Sequence, residues 1–322
     1  MVHRTRNHRH LFGQGDPTLV FGHGFGSDQS SWRAVADAFA ARHQVLLFDH
    51  VGFGGSDRLA HCDQRHSSLE GYALDLLDLL HDLPPRPVVY IGHSVGGVIG
   101  LLASLIEPAR FQHLVLLNVS PHFIDEPGYR GGFARREVAG LLAQMDVDYD
   151  AWVASLAPVA IGADNAPQHI EAFGLGLHAL DPMIAARFAR LAFYVDCRSR
   201  LAEVRCPTLI LQSTQDSFAP VEVGDYLHRH IAGSTLQTLE NSGHCPHITH
   251  PQLVVQALQA LLAPPEDRPA TGHRPAAGSR SPAAAGLLSP QRKAFTSESI
   301  MTFSDWSCRV IGGTGRCTPS SS

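Results

Sequence analysis

The sequence predicts an α/β fold: a mostly parallel sheet with helices on both faces and an all-helical insertion near the middle of the chain. Three observations predict it. Short, almost continuous apolar runs recur at residues 18–21, 45–48, 88–91, 113–117, 208–211 and 235–239, and strands of that kind are buried on both faces, as in a parallel sheet. Helical patterns alternate with these runs, as parallel connections require. Between residues 120 and 196 the alternation stops and several helices follow one another without a strand.

In order, residues 8–12 form an edge strand closed by the turn-rich 13–17. Residues 18–21 form a buried strand that ends in Gly22-His23-Gly24-Phe25-Gly26, a glycine-rich turn able to present backbone amides to an anion. Residues 32–41 read as a helix with Ser30 or Ser31 as its cap. The strand 45–48 runs into a turn-rich crossing loop, 49–57. Ser67 or Ser68 can cap the next helix, whose buried face is marked by Leu69, Tyr72, Leu76 and Leu80 at helical spacing. Pro84, Pro85 and Pro87 stop it.

The strand 88–91 leads into Gly92-His93-Ser94-Val95-Gly96, a G-x-S-x-G pattern placed between a buried strand and a helix rich in small residues. In that setting the pattern is a nucleophile elbow, which lifts the serine hydroxyl clear of the sheet. A plain glycine-rich turn is the alternative reading. After the strand 113–117, helices are expected at 132–145, 150–156, 167–177 and 182–195, and the segment 120–196 reads as a lid over the strand ends. The sheet resumes at 208–211, a helix spans 220–230, the last strand is 235–239, and an amphipathic helix spans 252–262. The core is thus 1–119 with 197–263. Residues 264–322 change composition to Pro, Ala, Ser, Gly and Arg, carry about +3 against about −8 for the rest, and read as a disordered tail.

Composition narrows the chemistry. With 322 residues, 44% hydrophobic and 17% charged, the chain reads as a soluble globular protein, and its net charge of −5 argues against a nucleic-acid partner. Lys293 is the only lysine, which makes a Ser-Lys dyad implausible. The six cysteines show no CxxC pair and suggest reduced thiols in the cytoplasm. No apolar run is long enough to span a membrane, and no cofactor or metal is expected.

Serine is a weak nucleophile unless a base takes its proton and an acid orients the base. In sheets carrying this elbow the chain order is Ser, acid, His. Asp216 follows the next-to-last strand and His244, after Gly243, follows the last. His247 and His250 compete for the role of base, and Glu240 and Asp196 for that of acid. The spacing of His244, His247 and His250 also suggests a metal, but no thiolate or carboxylate set accompanies it. The backbone amides of Val95 and Phe25 are the candidate oxyanion donors. A serine at position 94 excludes dehalogenase and epoxide hydrolase chemistry, in which an aspartate stands there. Phe25, Phe123, Phe133, Trp152, Phe193 and Phe218 are the candidate pocket residues.

His23-Gly24-Phe25-Gly26, the 28–32 stretch, Phe48-Asp49-His50-Val51-Gly52, Gly92-His93-Ser94-Val95-Gly96-Gly97, Leu117-Asn118-Val119-Ser120-Pro121 and Gly243-His244-Cys245-Pro246-His247 resemble the RsbQ-type hydrolases of the α/β-hydrolase fold. These regulate the bacterial stress response through a PAS-domain phosphatase. The same motifs are similar to the plant karrikin and strigolactone receptors. Trp152 with Ala157-Pro158 and Gly162-Ala163-Asp164, and Phe193 with Asp196, fit that group's four-helix lid. The resemblance spans residues 7–262. It implies a Ser94–Asp216–His244 triad, an oxyanion hole at Phe25 and Val95, and a deep apolar pocket under a V-shaped lid. It further implies either a serine hydrolase of small apolar esters, lactones or related carbonyl compounds, or a ligand sensor that activates a phosphatase. Leu156 stands where the plant receptors tend to carry an aromatic, so their ligands do not carry over.

Overall fold

Seven strands pair into one sheet in a computed structural model that describes residues 6–263; the tail read from 264 onward lies outside the described residues. The strands are β1 (Arg9–Gly13), β2 (Leu19–Gly22), β3 (Gln44–Phe48), β4 (Val88–His93), β5 (Phe111–Leu117), β6 (Thr208–Gln215) and β7 (Ser234–Ser242), in the spatial order β1-β3-β2-β4-β5-β6-β7. Strand β1 is antiparallel to β3 and the remaining pairs are parallel. This is the α/β-hydrolase arrangement. The parallel strands end at one edge, and there the order of the chain brings their loops together.

β6 and β7 extend several residues past the apolar runs that mark them in the sequence. Gln212 and Ser213 look like the start of a loop, yet they pair with Thr238 and Leu239. Their polarity is accommodated because Gln212 donates to the Ala219 carbonyl at 2.7 Å and the Ser213 amide donates to Asn118 Oδ1 at 2.8 Å. The helix expected at 32–41 is instead a 3-10 turn, Gln29–Trp32, and one α turn, α1 (Arg33–Ala36). Asp28, not Ser30 or Ser31, caps it, since its carboxylate reaches the free Ser30 amide at 2.7 Å.

Helices α2 (Leu69–His81) and α3 (Val95–Ile106) cover the sheet with apolar faces. Leu76, Leu80, Val98 and Leu101 pack with Tyr90 and Leu116 on one side of the strands. Trp32, Val35 and, from α10 (Pro251–Leu262), Val254 and Leu258 pack with Phe21, Val89 and Ile91 on the other. The strand-to-helix joint at Ser94 demands glycine on both sides. A Cβ on Gly96 would lie 2.3 Å from the His23 carbonyl oxygen, and one on Gly92 2.5 Å from Gly97 Cα.

Between β5 and β6 stand α4 (Arg135–Val147), α5 (Tyr149–Ile161), α6 (Pro167–His178) and α7 (Pro182–Phe193). α5 runs past residue 156 through Pro158 to Ile161. Gly162, at φ 89°, then ends it, and Asn165 Nδ2 donates to the freed Ile161 carbonyl at 2.7 Å. The two stems of the insertion are fastened together. Arg198 reaches Glu126 at 2.7 Å and Asp196 at 2.6 Å, and its guanidinium stands 4.6 Å from the centre of the Tyr129 ring. α8 (Val221–His230) lies between β6 and β7, and the short α9 (Pro246–Thr249) follows β7. Among the described residues no helix is long and apolar enough to cross a membrane.

Candidate active site

Ser94 caps α3 with φ 53° and ψ −127°, a left-handed conformation that costs a serine energy and is held by the packing around it. Its hydroxyl meets His244 Nε2 at 2.8 Å. The opposite nitrogen, Nδ1, meets Asp216 at 2.8 Å to Oδ2 and 3.0 Å to Oδ1. Because that partner is a carboxylate, Nδ1 carries the proton and Nε2 is left to accept from serine. Asp216 is itself held: its Oδ1 accepts from the Phe218 amide at 2.8 Å and the Ala219 amide at 3.2 Å, and its side chain is shielded from solvent. The three side chains read from β4, β6 and β7 are therefore brought into one hydrogen-bonded line.

Their competitors stand elsewhere. Asp196 is paired with Arg198, and Glu240 lies exposed on β7. His250 precedes α10 and its Nδ1 meets the Thr249 hydroxyl at 2.9 Å. His247 is fully buried, its ring 4.4 Å from those of Trp32 and His93. Burial pushes the His247 pKa down to about 3, with nearby His244 and His23 acting in the same direction. Among the described residues no group of three His, Cys, Asp or Glu side chains could hold a metal ion.

The Val95 amide opens α3, where no turn of helix precedes it. The Phe25 amide belongs to the turn after β2, and its orientation follows from residues that the sequence reading passed over. His50 donates its backbone N–H to His23 Nε2 at 3.0 Å, which leaves the His23 proton on Nδ1, donating to the Gly24 carbonyl at 2.8 Å. In a planar trans peptide the C=O and N–H point apart, so fixing the Gly24 carbonyl on His23 turns the Phe25 N–H the other way. Both imidazoles are buried and burial lowers their pKa values, keeping them neutral. The sequence signal was the His-Gly pair after a central strand and the histidine following Asp49. Neither reveals a bond across 27 positions.

Above Ser94 lies a cavity lined by Phe25, Val95, Phe123, Leu156, Ala160, Phe173, Ala192, Phe193, Phe218 and Cys245 together with His93 and His244. Four of the six expected pocket aromatics are on this wall. Phe133 and Trp152 are not and stand one layer back. Phe133 packs 5.8 Å from Phe218 and 6.2 Å from Phe193, ring to ring. Trp152 shares a face of α5 with Leu156 and Ala160 but lies a turn too far along, behind Phe25 at 6.0 Å. Leu156 was singled out only as a departure from the plant receptors, and Ala160 and Ala192 went unread because a short apolar side chain on an amphipathic helix gives no sign of facing a cavity.

A strained serine between strand and helix, with a histidine and an aspartate from the loops after the last two strands in line with it, marks a hydrolase of the α/β type. The chain belongs to the α/β hydrolase family, whose model matches residues 19–257. It is similar to a strigolactone esterase of Pisum sativum, 38% identical over 254 residues covering 78% of this chain and 94% of that one. It is similar also to a karrikin insensitive 2 receptor of Petunia hybrida, 35% identical over 249 residues covering 77% and 91%. Among solved structures, a hydrolase from Oleispira antarctica superposes with a TM-score of 0.78 at 36% identity, over 80% of this chain and 95% of that one.

Proposed function

We propose that the protein is a serine hydrolase of small apolar esters, lactones or related carbonyl compounds, with Ser94 as nucleophile, His244 as base and Asp216 as the orienting carboxylate. The observation that carries this reading is the continuous line from Ser94 Oγ to His244 to Asp216 at the bottom of an apolar cavity. Ser94 Oγ attacks the carbonyl carbon while its proton passes to His244 Nε2. The oxyanion forms facing the Phe25 and Val95 amides. The bond to the leaving oxygen then breaks as His244 returns the proton to it. Water, deprotonated by His244, attacks the acyl carbon; the bond to Ser94 Oγ breaks as His244 returns the proton to Oγ, releasing the acid and restoring Ser94. Apart from His93 and the reacting groups, the cavity wall offers apolar or weakly polar surface, which favours uncharged substrates.

A fluorophosphonate probe and p-nitrophenyl butyrate test this. Wild type is expected to be labelled and to turn over, and Ser94→Ala to lose labelling and about four to six orders of magnitude in kcat. Equal labelling of the two proteins would sink the reading.

A second reading keeps the same chemistry but makes it a sensing event, in which slow processing of the ligand prepares the protein to activate a partner such as a PAS-domain phosphatase. The receptor names of relatives above 30% identity favour it. Turnover slower than the response, together with loss of phosphatase activation in Ser94→Ala, would support it; fast multiple turnover with no partner would count against it. A cytoplasmic site of action fits the four described cysteines, all of which are free thiols.

A further inference from the structure

We infer that Asn118, with His93, is a positioning residue that clamps the backbone carbonyl of His244 and thereby holds the three triad loops in register. This rests on the hydrolase reading of Ser94, His244 and Asp216.

The His244 carbonyl oxygen receives two buried donors, Asn118 Nδ2 at 2.9 Å and His93 Nε2 at 2.8 Å. Its own amide donates to the Ala160 carbonyl at 2.8 Å. Both polar groups of the His244 peptide backbone are thus fixed independently of the imidazole. The two donors come from the loops that hold its reaction partners. His93 is the residue before Ser94. Asn118 Nδ2 also reaches Ser213 Oγ at 2.8 Å, and its Oδ1 accepts from the Ser213 amide at 2.8 Å, three residues before Asp216. Its backbone amide donates to Leu211 at 2.9 Å, while the preceding residue, Leu117, accepts from the Ser94 amide at 2.9 Å.

Asn118 is the point at which the nucleophile, acid and base loops meet. It holds φ 49°, one of two described non-glycine residues with positive φ, the other being Ser94 itself. Its side chain is fully buried. A strained backbone and a buried amide whose oxygen and nitrogen are both used point to geometry being maintained at a cost. Glycine would adopt that φ without strain but would supply no donor. His93 faces a carbonyl, so Nε2 carries its proton. Burial, with His247 and His244 close by, keeps its pKa well below the ordinary value and the ring neutral.

Asn118→Gly is the decisive variant, since it relaxes the backbone and removes only the side-chain bonds. Expected are a kcat about tenfold to a hundredfold lower for p-nitrophenyl butyrate, a KM within about twofold, and loss or broadening of the far-downfield proton resonance of His244 Nδ1–H. Asn118→Asp keeps the shape and the acceptor while losing the donor to His244. It is expected to lower kcat at least as much, and it keeps the test decisive if the glycine variant folds poorly. A lower melting temperature with kcat and the resonance intact in both variants would mean that Asn118 is merely structural, and would overturn the inference. The failure of the underlying reading is seen separately: Ser94→Ala would then hydrolyse as well as wild type, and the resonance would still judge the clamp.

Discussion

Beneath Ser94 the side chains of Asn118, His93, His23 and Asp49 are buried, and each is tied to a particular backbone group. Asp49 alone accepts from the Gln29 amide at 2.8 Å, the Gln29 side chain at 3.0 Å and the Gly55 amide at 2.9 Å. Above Ser94 the rings of Phe25, Trp152, Phe188 and Phe193 meet neighbouring rings through apolar contact; the ion pairs of α7 with Asp63 and Asp146 lie at the surface, and the bond from the His244 amide to the Ala160 carbonyl on α5 ties the floor to the roof. Floor and roof thus follow two principles. Directional bonds fix distances closely enough for proton transfer. Apolar packing fixes volume and tolerates small changes of shape. The comparison teaches where rigidity belongs in such an enzyme: under the reacting atoms, with adaptability left to the wall that meets the substrate.

The largest expected break comes from the floor. Asp216→Asn keeps the shape of the acid but offers His244 Nδ1 an amide, favouring the tautomer that presents a proton, not a lone pair, to Ser94. A loss of about 10⁴ in kcat is expected with KM little changed, measured on p-nitrophenyl butyrate. A loss below tenfold would mean that the floor does not set the tautomer.

How much of this was legible in the sequence follows the same division. Ser94, Asp216 and His244, which the structure places in one hydrogen-bonded line, could be picked out because each sits a few residues past an apolar strand and chain order assigns the slots. That the sheet is mostly parallel follows from alternation with helices; its order, with β3 between β1 and β2, does not. The clamp at Asn118 and the His23–His50 pair were not readable, since each depends on bonds between residues far apart in the chain, which appear only when the strand ends converge. On the roof, helices were readable from the absence of any strand run between 120 and 196, but which turn faces the cavity was not. Trp152, Leu156 and Ala160 share one face at four-residue steps, and only the packing of α5 over Phe25 decides which of them reaches it.

The next effect tests the roof. Trp152 is fully buried among Phe25, Tyr149 and the apolar faces of the insertion. Trp152→Ala is expected to lower stability by about 3–5 kcal/mol, read from the urea midpoint, while altering kcat far less than the floor substitution. Equal damage to kcat at permissive temperature would show that roof packing sets the triad geometry, and the contrast would collapse.

A smaller effect sharpens the contrast through pH. His247 binds a proton at about pH 3 in the folded protein and at about pH 6.5 in the unfolded chain. Between those values the unfolded state holds the extra proton. Stability present above pH 6.5 is therefore lost as pH falls toward 3, by up to about 1.4 kcal/mol per pH unit from this group. His23, His50 and His93 shift in the same direction through burial, so they add to the slope. Urea midpoints from pH 8 down to 5 are expected to decline, and His247→Phe to decline less steeply. Coincident slopes would remove His247 from the account.

The smallest expected effect is on the roof's surface. Arg190 on α7 pairs with Asp146 on α4, and both side chains are roughly half exposed. Solvent screens such a pair, and ordering two long side chains offsets much of the attraction, so exposed pairs contribute about 0.2–1 kcal/mol. Arg190→Ala should shift stability by no more than that, shift it less still in high salt, and leave the order of preference among p-nitrophenyl esters of increasing chain length unchanged. The neighbouring packing of Ala189 and Phe188 stays in place, because those side chains are buried on the inner face of the same helix. If Arg190→Ala instead changed that order of preference, the roof too would depend on directional bonds, and the division between a hydrogen-bonded floor and an apolar roof would have to be redrawn at the α4–α7 contact.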